Sequence, residues 1–196
     1  MSDTNKTIAQ QEIRQSRILN RLGRFSDSVP ATFKAAHMEQ ITDDVRSIIR
    51  QWVVNPFSWS LYLQGKAGRG KSHLAFAIAF RWIVSGIGDV VWWSVPELLA
   101  QLRREFDDKR ADTIADLQGF PGLLFLDDLG TENSTEYTVQ ELYRVLYMRE
   151  AEELKTIVTS PYSLAEIGSK LSPWIMSRLA GGDIIKLKGP DRRIKG

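Results

Sequence analysis

Apolar and polar residues follow two patterns along most of the chain, and together these patterns predict both strands and helices. Five short runs are apolar at nearly every position, which is typical of strands buried on both faces. They are 59–64, 89–93, 123–127, 156–160 and 184–187. Amphipathic stretches with helical spacing lie between them, at 71–85, 95–106, 135–152 and 163–179. Strands that alternate with helices predict a three-layer α/β fold with a central parallel sheet.

The chain before the first strand is more polar and predicts two helices. The apolar positions of residues 39–54 share one helical face: Ile41, Val45, Ile48, Ile49 and Trp52. Residues 1–27 are only weakly periodic and predict an arginine-containing helix that ends near Gly23, before the break at 28–30. We therefore expect a helical arm at 1–27, either disordered or a docking helix for a partner, and a main domain at 28–196.

Composition narrows the possible chemistry by exclusion. The 196 residues are 43% hydrophobic and 26% charged, as expected of one globular domain. Without cysteine the chain has no disulfides, no thiolate metal site and no cysteine nucleophile. Its two histidines argue against a histidine-rich metal site or a Ser-His-Asp hydrolase.

Charge is unevenly distributed although the formal net charge is only +2. Both ends are basic and the middle is acidic, which permits a nucleic-acid partner, although basic tails are often simply solvated. The first 27 residues lack the apolar run of a signal peptide, and no stretch approaches the roughly 18 apolar residues of a membrane span. We expect a cytoplasmic protein without a membrane partner.

A phosphate-binding motif follows the first predicted strand. Residues 65–72 match G-x-x-x-x-G-K-[ST], with a strand before and a helix after. The glycines allow backbone amides to point at an anion, and the helix N-terminus adds its positive dipole end. The candidate phosphate-binding residues are Gly65, Ala67, Gly68, Arg69, Gly70, Lys71, Ser72 and His73. Lys71 would contact the β- and γ-phosphates and Ser72 would ligate Mg²⁺. Alternatively, residues 65–72 are a glycine-rich connection that binds no ligand. This alternative does not account for the acidic strand that follows later in the chain.

Paired aspartates end the third predicted strand. Asp127 and Asp128 follow four apolar residues, so they are expected at the carboxyl edge of the sheet, where ligands of open α/β sheets bind. Asp127 is placed to hold Mg²⁺, and Asp128 to orient and deprotonate an attacking water. Such a pair can also cap a helix, but its position about 55 residues after the phosphate loop favours the magnesium role.

Several motifs in combination resemble the DnaC/IstB-like AAA+ ATPases, a family of replicative helicase loaders and transposition ATPases. The resemblance covers roughly residues 29–193. The motifs that carry it are 65–75, 94–99 (which opens with a Ser94–Glu97 capping box), 123–130, Thr159-Ser160 and Ser177-Arg178-Leu179. It implies an ATP- and Mg²⁺-dependent P-loop ATPase with an AAA+ core that assembles into oligomers.

The resemblance also assigns roles near the end of the chain. Family members place an Asn after Thr-Ser to sense the γ-phosphate, but Pro161 stands here, so Ser160 or Thr159 takes that role or hydrolysis is slow. Arg178 matches the arginine finger that completes a neighbouring subunit's site; alternatively it is a surface arginine. The 18 residues after it leave no room for a separate lid domain. Asp191, Arg192 and Arg193 are further candidates for phosphate sensing.

The segment between the second and third strands lines a DNA-contacting pore in such loaders. Its candidate contacts to single-stranded DNA are Arg103, Arg104, Lys109 and Arg110. Interleaved acidic residues (Glu105, Asp107, Asp108) equally favour a self-neutralising solvated face. Most of the tryptophans, including Trp82, Trp92 and Trp174, are expected in the core.

Three functions remain open at this point. The first is an ATP-dependent loader that delivers a replicative ring helicase to single-stranded DNA, with residues 1–27 as its docking element. The second is a transposition ATPase that forms filaments on duplex DNA. The third is a nucleotide-gated adaptor with little hydrolysis.

Overall fold

The computed structural model describes residues 3–36, 38, 41–107, 112–132 and 135–192. The strands are β1 (Ser60–Gln64), β2 (Val90–Ser94), β3 (Leu123–Asp127), β4 (Thr156–Ser160) and β5 (Asp183–Lys186). The helices are α1 (Asp3–Ser28), α2 (Asp43–Val54), α3 (Lys71–Val84), α4 (Val95–Asp107), α5 (Thr113–Gly119), α6 (Glu136–Ala151), α7 (Leu164–Lys170) and α8 (Pro173–Ala180). A short 3₁₀ helix, Ala31–Phe33, joins α1 to α2.

All five strands are parallel and lie in the order β2-β3-β4-β1-β5. The predicted three-layer α/β fold is confirmed, and each predicted strand is found within one residue of its expected position. Because the strands are parallel, their carboxyl ends meet at one edge. The register there pairs Gln64 of β1 with Ser160 of β4, and Ser94 of β2 with Asp127 of β3.

Two hydrophobic clusters cover the two faces of the sheet. Leu61 and Leu63 of β1 face the first cluster, which contains side chains of α1, α2 and α3. Tyr62, between them, faces the second cluster, which is built from α4 to α8. Successive strand residues point to opposite faces, so continuous apolar strands are required to fill both layers.

The structure differs from the helical predictions in four places. The helix predicted at 39–54 begins at Asp43. The helix predicted at 163–179 is two helices, because Pro173 lacks an N–H and starts α8 at its first turn while Ser172 caps it by accepting from the Trp174 N–H. Residues 113–119 form α5, which the pattern did not predict. The first helix passes through Gly23 to Ser28, since Phe25 is buried against Phe76 and Phe80 and its burial outweighs the cost of one glycine.

One tryptophan that was predicted to be buried is exposed, because the predicted helix is interrupted just before it. Trp82 is buried and Trp92 is half-buried, as expected of core residues. Trp174 lies in the first turn of α8 and is 70% exposed, so its assignment to the core was wrong. Among the described residues, no helix is both long and apolar enough to cross a membrane.

Candidate nucleotide-binding site

The loop between β1 and α3 has the backbone geometry that a phosphate cradle needs. Gly68 and Gly70 have φ values of 72° and 85°, a left-handed conformation that side chains other than glycine rarely adopt. Gly65 accepts no side chain either, because a Cβ would stand 2.7 Å from the carbonyl oxygen of Leu187. The Leu74 N–H donates to the Gly70 carbonyl at 2.9 Å and begins the helical ladder. The amides in the first turn of α3 have no acceptor within the helix, so a bound anion can accept from them.

A cavity of about 610 Å³ opens over this loop. Its lining comes from the loop and α3, from the 3₁₀ helix and from the chain after β5: Thr32, Phe33, Gly68, Gly70, Lys71, Ser72, His73 and Arg192. Lys71 is only 6% exposed, and its Nζ lies 3.4 Å from the Lys66 carbonyl oxygen. The buried ammonium, the Arg192 guanidinium and the N-terminus of α3 give the cavity a positive potential suited to phosphates.

Two other candidate loop residues lie outside this lining. Ala67 is exposed at the tip of the loop. Arg69 is half-buried and lines a smaller neighbouring cavity together with His73 and Arg192. The cavity is thus lined by Gly68 and Gly70–His73, whereas Ala67 and Arg69 lie outside it.

Asp127 is joined to the loop through a shared hydrogen-bond acceptor. Its Oδ1 accepts from the Ser72 hydroxyl at 2.9 Å and from the Thr159 hydroxyl at 2.6 Å. These three side chains come from α3, β3 and β4, and the parallel register brings them to one edge of the sheet. The structure thus brings together the two residues predicted to hold magnesium, Ser72 and Asp127.

Burial raises the pKa of the Asp127 carboxyl, and the neighbouring Asp128 carboxylate raises it further. Hydrogen bonds from Thr159 and Ser72 and the positive charge of Lys71 oppose this shift. The carboxylate is therefore held at an energetic cost that a bound cation would relieve.

Ser72 and Asp127 fit a magnesium ion by their donor chemistry. A hydroxyl and a carboxylate oxygen 2.9 Å apart are hard ligands, and Mg²⁺ in nucleotide sites takes one or two protein ligands, with phosphates and waters as the rest. No cluster of three acidic or histidine side chains suited to a metal occurs in the described part of the chain. The donors point to a cation brought in with phosphates.

Asp128 has an uncommon backbone conformation, with φ of 62°. Its N–H donates to the Thr159 Oγ1 at 2.9 Å, and its carbonyl oxygen accepts from the Thr131 hydroxyl at 2.8 Å. The Thr159 hydroxyl thus donates to Asp127 and accepts from the next residue's backbone. Strain of this kind is characteristic of functional turns, and here it turns the half-exposed Asp128 away from the strand.

Ser160 is fully buried, and its hydroxyl is already engaged. It donates to the Leu129 carbonyl at 2.7 Å and accepts from the Tyr162 N–H at 3.1 Å. Its predicted role in sensing the γ-phosphate stays a prediction. The Thr159 hydroxyl contacts Asp127, whereas Ser160 contacts the phosphate loop through its carbonyl oxygen, which accepts from the Gly65 N–H at 3.2 Å.

Arg178 lies on α8, outside the cavity lining. Its Nη1 donates to Glu150 Oε2 at 2.5 Å, and its guanidinium lies 4.8 Å from the ring centre of Tyr147. Hydrogen bonds to Tyr143 and Glu150 raise the pKa of Arg178, so the group is always charged. Its role as an arginine finger stays a prediction.

Part of the predicted DNA-contacting set can be located. Arg103 and Arg104 are exposed on α4, whereas Lys109 and Arg110 lie outside the described residues. Glu105 hydrogen-bonds to Gln101 and to the Thr113 hydroxyl and N–H. It therefore anchors the start of α5 rather than only balancing the arginines. The Ser94 hydroxyl accepts from the Glu97 N–H at 3.3 Å, as the capping box predicted.

Sequence reasoning missed Thr32 and Phe33 at the cavity. They lie in a three-residue helix between α1 and α2, and no periodicity marks such a short element. A nearby Pro30 was the one local signal, since proline fixes the backbone before a short helical turn. The chain after β5 contributes more than expected: the Arg192 N–H donates to the Gly68 carbonyl at 2.9 Å, and the Asp191 carboxylate packs onto Gly68.

Comparison with known proteins identifies the family of this chain. The family model described as "IstB-like ATP binding protein" matches residues 12–180. A stretch of 108 residues is 30% identical to the replicative helicase loader DnaI of Bacillus subtilis (strain 168) and covers 55% of this chain. That stretch is about a third, 34%, of the length of DnaI.

Solved structures share the fold at lower identity. A crystal structure of the DnaC helicase loader superimposes with a TM-score of 0.70 at 23% identity, covering 81% of this chain and 100% of that one. The replication initiator DnaA, bound to AMPPCP and single-stranded DNA, gives 0.69 at 18% identity, covering 79% of this chain and 50% of that one. With the family model matching most of the chain, this protein belongs to the IstB-like ATP binding proteins, within the DnaC/IstB-like AAA+ group.

Proposed function

We propose that the protein is an ATP-dependent helicase loader that assembles with a replicative ring helicase and delivers it to single-stranded DNA. The hydrogen-bonded set of Ser72, Asp127 and Thr159 at the phosphate loop carries the nucleotide part of this proposal. The 30% identity to the loader DnaI supports the replication part. Residues 1–27 are the proposed docking element, and residues 28–196 the proposed ATPase domain.

Each side chain of the site has its own role in the proposed hydrolysis. Lys71 and the amides at the start of α3 would hold the β- and γ-phosphates, and Arg192, which lies against the loop, would add a further cation. Mg²⁺ held by Ser72 and Asp127 would supply charge neutralisation between the phosphates. Asp128 would accept a proton from the attacking water, and Thr159 would keep the two aspartates in register.

Arg178 is proposed to act on a neighbouring subunit. In this protomer it lies on α8 against Glu150 and two tyrosines, away from the cavity lining. A cation that completes the site only in an assembly would make hydrolysis depend on oligomer formation. Arg103 and Arg104 are the described candidates for contacts to single-stranded DNA.

A second candidate function is a transposition ATPase that forms ATP-dependent filaments on duplex DNA. The family model, described as IstB-like and matching 169 residues from 12 to 180, favours it. Slow hydrolysis is compatible with both the loader and the transposition ATPase. At the extreme, a protein that binds ATP without hydrolysing it would be an adaptor. Pro161 and the engaged hydroxyl of Ser160 support slow turnover.

The test is ATP hydrolysis measured against protein concentration, with single-stranded and duplex DNA added in turn. A loader is expected to hydrolyse ATP cooperatively with single strands, and to capture a replicative helicase from its native host in the presence of ATP. Lys71→Ala should abolish turnover. An equimolar mixture of Lys71→Ala and Arg178→Ala should regain activity, since each supplies what the other lacks.

Other outcomes assign the alternatives. Duplex-dependent filaments and capture of a transposase would replace the loader by the transposition ATPase. Tight ATP binding with turnover that neither variant alters would leave only the adaptor.

A further inference from the structure

One face of α1 carries an arginine stripe (Arg14, Arg17, Arg21 and Arg24) that neither the nucleotide site nor the core uses. At 100° per residue the four positions fall within an arc of about 80°, so they share a face. They extend over ten residues, about 15 Å of helix. The carboxylate that pairs with the stripe is Asp89, 42% exposed, whose Oδ1 lies 3.2 Å from both Arg21 Nε and Arg24 Nη2.

The arginine stripe borders a continuous groove between α1 and the body of the protein. Three recesses of about 310, 510 and 490 Å³ follow one another along it, and Arg21 lines all three. The first lies beside Gly86, where the absence of a side chain lets the Arg14 guanidinium approach the turn after α3. The groove is thus lined by cations along most of its length.

Aromatic side chains line the far end of the same groove. Trp92 and Trp93 of the edge strand β2 and Phe120, before β3, line the third recess. All three residues are half-buried. Trp92 packs on the same face of the sheet as α1, whereas Trp93 packs against the second cluster on the other face. Trp92 is fixed by hydrogen bonds from its Nε1 to the carbonyl and hydroxyl of Ser28. A row of cations that ends in aromatic faces is the arrangement that binds the backbone and the bases of single strands.

We propose that this groove binds the phosphate backbone of single-stranded nucleic acid, with the arginine stripe on the phosphates and Phe120 beside the bases. Four guanidinium groups against one carboxylate leave an excess of three positive charges. Guanidinium forks match phosphate oxygens better than lysine ammonium groups do. A single strand is favoured over a duplex because only unstacked bases expose faces to aromatic side chains.

The groove is separate from the nucleotide site and from the proposed DNA contacts of α4. Gly86 follows the C-terminal end of α3, whereas the phosphate loop precedes its N-terminal end, about 21 Å away along 14 residues. Binding in the groove therefore does not require ATP hydrolysis, but the stripe lies within residues 1–27, which are also the proposed docking element.

The test is fluorescence anisotropy of the full chain with a labelled 20-nucleotide oligothymidine, without ATP, over a range of salt concentrations. The double variant Arg14→Glu/Arg17→Glu is compared with Arg50→Glu/Arg81→Glu, which changes the net charge equally at exposed arginines of α2 and α3. Arg14 and Arg17 are exposed as well, so both variants should keep the wild-type melting temperature. Stripe reversal should weaken binding at least tenfold and reduce the slope of log K against log salt by about 1.4, two phosphate contacts at roughly 0.7 each.

The outcomes that overturn the proposal are equally specific. Equal affinities of the stripe variant and the control variant would show that the stripe binds no nucleic acid and would leave an acidic protein as its partner. Binding of a duplex of equal length at least as tightly as the oligothymidine would exclude the single-strand preference. An abasic oligomer of the same charge should bind at least threefold more weakly, and equal binding would remove the aromatic contribution. Stripe reversal should weaken binding by the same factor in an Arg103→Ala/Arg104→Ala background, which separates the contribution of this groove from that of α4.

Discussion

At the scale of single residues, the hydroxyl of Thr159 organises the acidic end of the site. It donates to Asp127 Oδ1 and accepts from the Asp128 N–H, so one side chain of β4 fixes both aspartates of β3. This contact depends on β3 and β4 being neighbours, which adjacency along the chain does not reveal. The phosphate loop and the two aspartates could be predicted because they are contiguous motifs. Thr159 was one of two open candidates, and Thr32 and Phe33 were not predicted at all.

Replacing Asp127 by Asn should stabilise the protein without nucleotide while abolishing its magnesium-dependent nucleotide binding. The Asn Oδ1 can still accept from Ser72 and Thr159, so the change removes the buried charge and keeps both hydrogen bonds. We expect a gain of about 1 kcal/mol at pH 7, or about 2–4 °C in melting temperature. The neighbouring Asp128→Asn should change the melting temperature little, because residue 128 is half-exposed and Asn tolerates its left-handed backbone conformation.

The pH dependence of this gain has a definite sign. The pKa of Asp127 in the folded protein is raised, so the folded state holds more protons than the unfolded state between the unfolded value of 3.8 and the folded one. The wild-type free energy of unfolding falls as pH rises through that interval. The advantage of Asp127→Asn should therefore shrink as pH is lowered toward 3.8. A constant difference in melting temperature would contradict this origin.

Two glycines provide a matched pair for testing the loop geometry. Gly68 has φ of 72°, and a Cβ there would overlap the Asp191 carboxylate, so Gly68→Ala should weaken nucleotide binding and lower stability by more than 1 kcal/mol. Gly23 lies in α1 with nothing within 4 Å of its Cβ position, so Gly23→Ala should raise stability by about 0.5–1 kcal/mol. Thermal unfolding of both variants measures the contrast. Similar shifts would mean that the left-handed loop is not required.

At the scale of elements, Arg149 of α6 connects α5 and the loop before β3 to the start of β4. It is fully buried, and its guanidinium donates to the carbonyls of Leu117, Phe120, Gly122 and Lys155 and to the Thr156 hydroxyl. Burial lowers the pKa of Arg149 to about 10, which still leaves it charged near neutral pH. Five acceptors compensate the desolvated cation and fix α5 and its following loop to β4.

Removing this side chain should be severely destabilising. Arg149→Met leaves the four carbonyls and the threonine hydroxyl without their donor, and we expect a loss of about 3–5 kcal/mol in the free energy of unfolding. Arg50 of α2, an exposed arginine, serves as the control. Arg50→Met should change stability by less than about 0.5 kcal/mol. Equal losses in denaturant unfolding would contradict the role of Arg149.

Element boundaries were harder to predict than element types. Strands buried on both faces are recognisable because both core layers require apolar residues at every position. The division of α7 from α8 depends on two residues, Ser172 and Pro173, inside an otherwise continuous amphipathic pattern. The course of α5 depends on Arg149 from a distant helix, and no local pattern contains that information.

At the scale of the whole molecule, Glu150 restrains the proposed arginine finger. Glu150→Gln weakens the hold on Arg178, since it replaces an ion pair at 2.5 Å by a neutral contact, while the Tyr147 ring remains. If Arg178 completes a neighbouring site, the variant should reach half-maximal ATP hydrolysis at a lower protein concentration. Glu152→Gln, an exposed change nearby, is the control and should behave as wild type. Unchanged concentration dependence, or a gain that survives Arg178→Ala, would contradict this restraint.

The chain that follows β5 lies against the phosphate loop, with the Leu187 N–H donating to Gln64 at 2.7 Å and the Arg192 N–H to Gly68. Nucleotide entry would therefore alter the surroundings of this segment directly. The chain contains no cysteine, so a Lys188→Cys substitution at an exposed position would introduce a unique thiol. A fluorescent dye attached there would report occupancy of the phosphate loop in real time, independently of hydrolysis, and would make binding and release rates measurable.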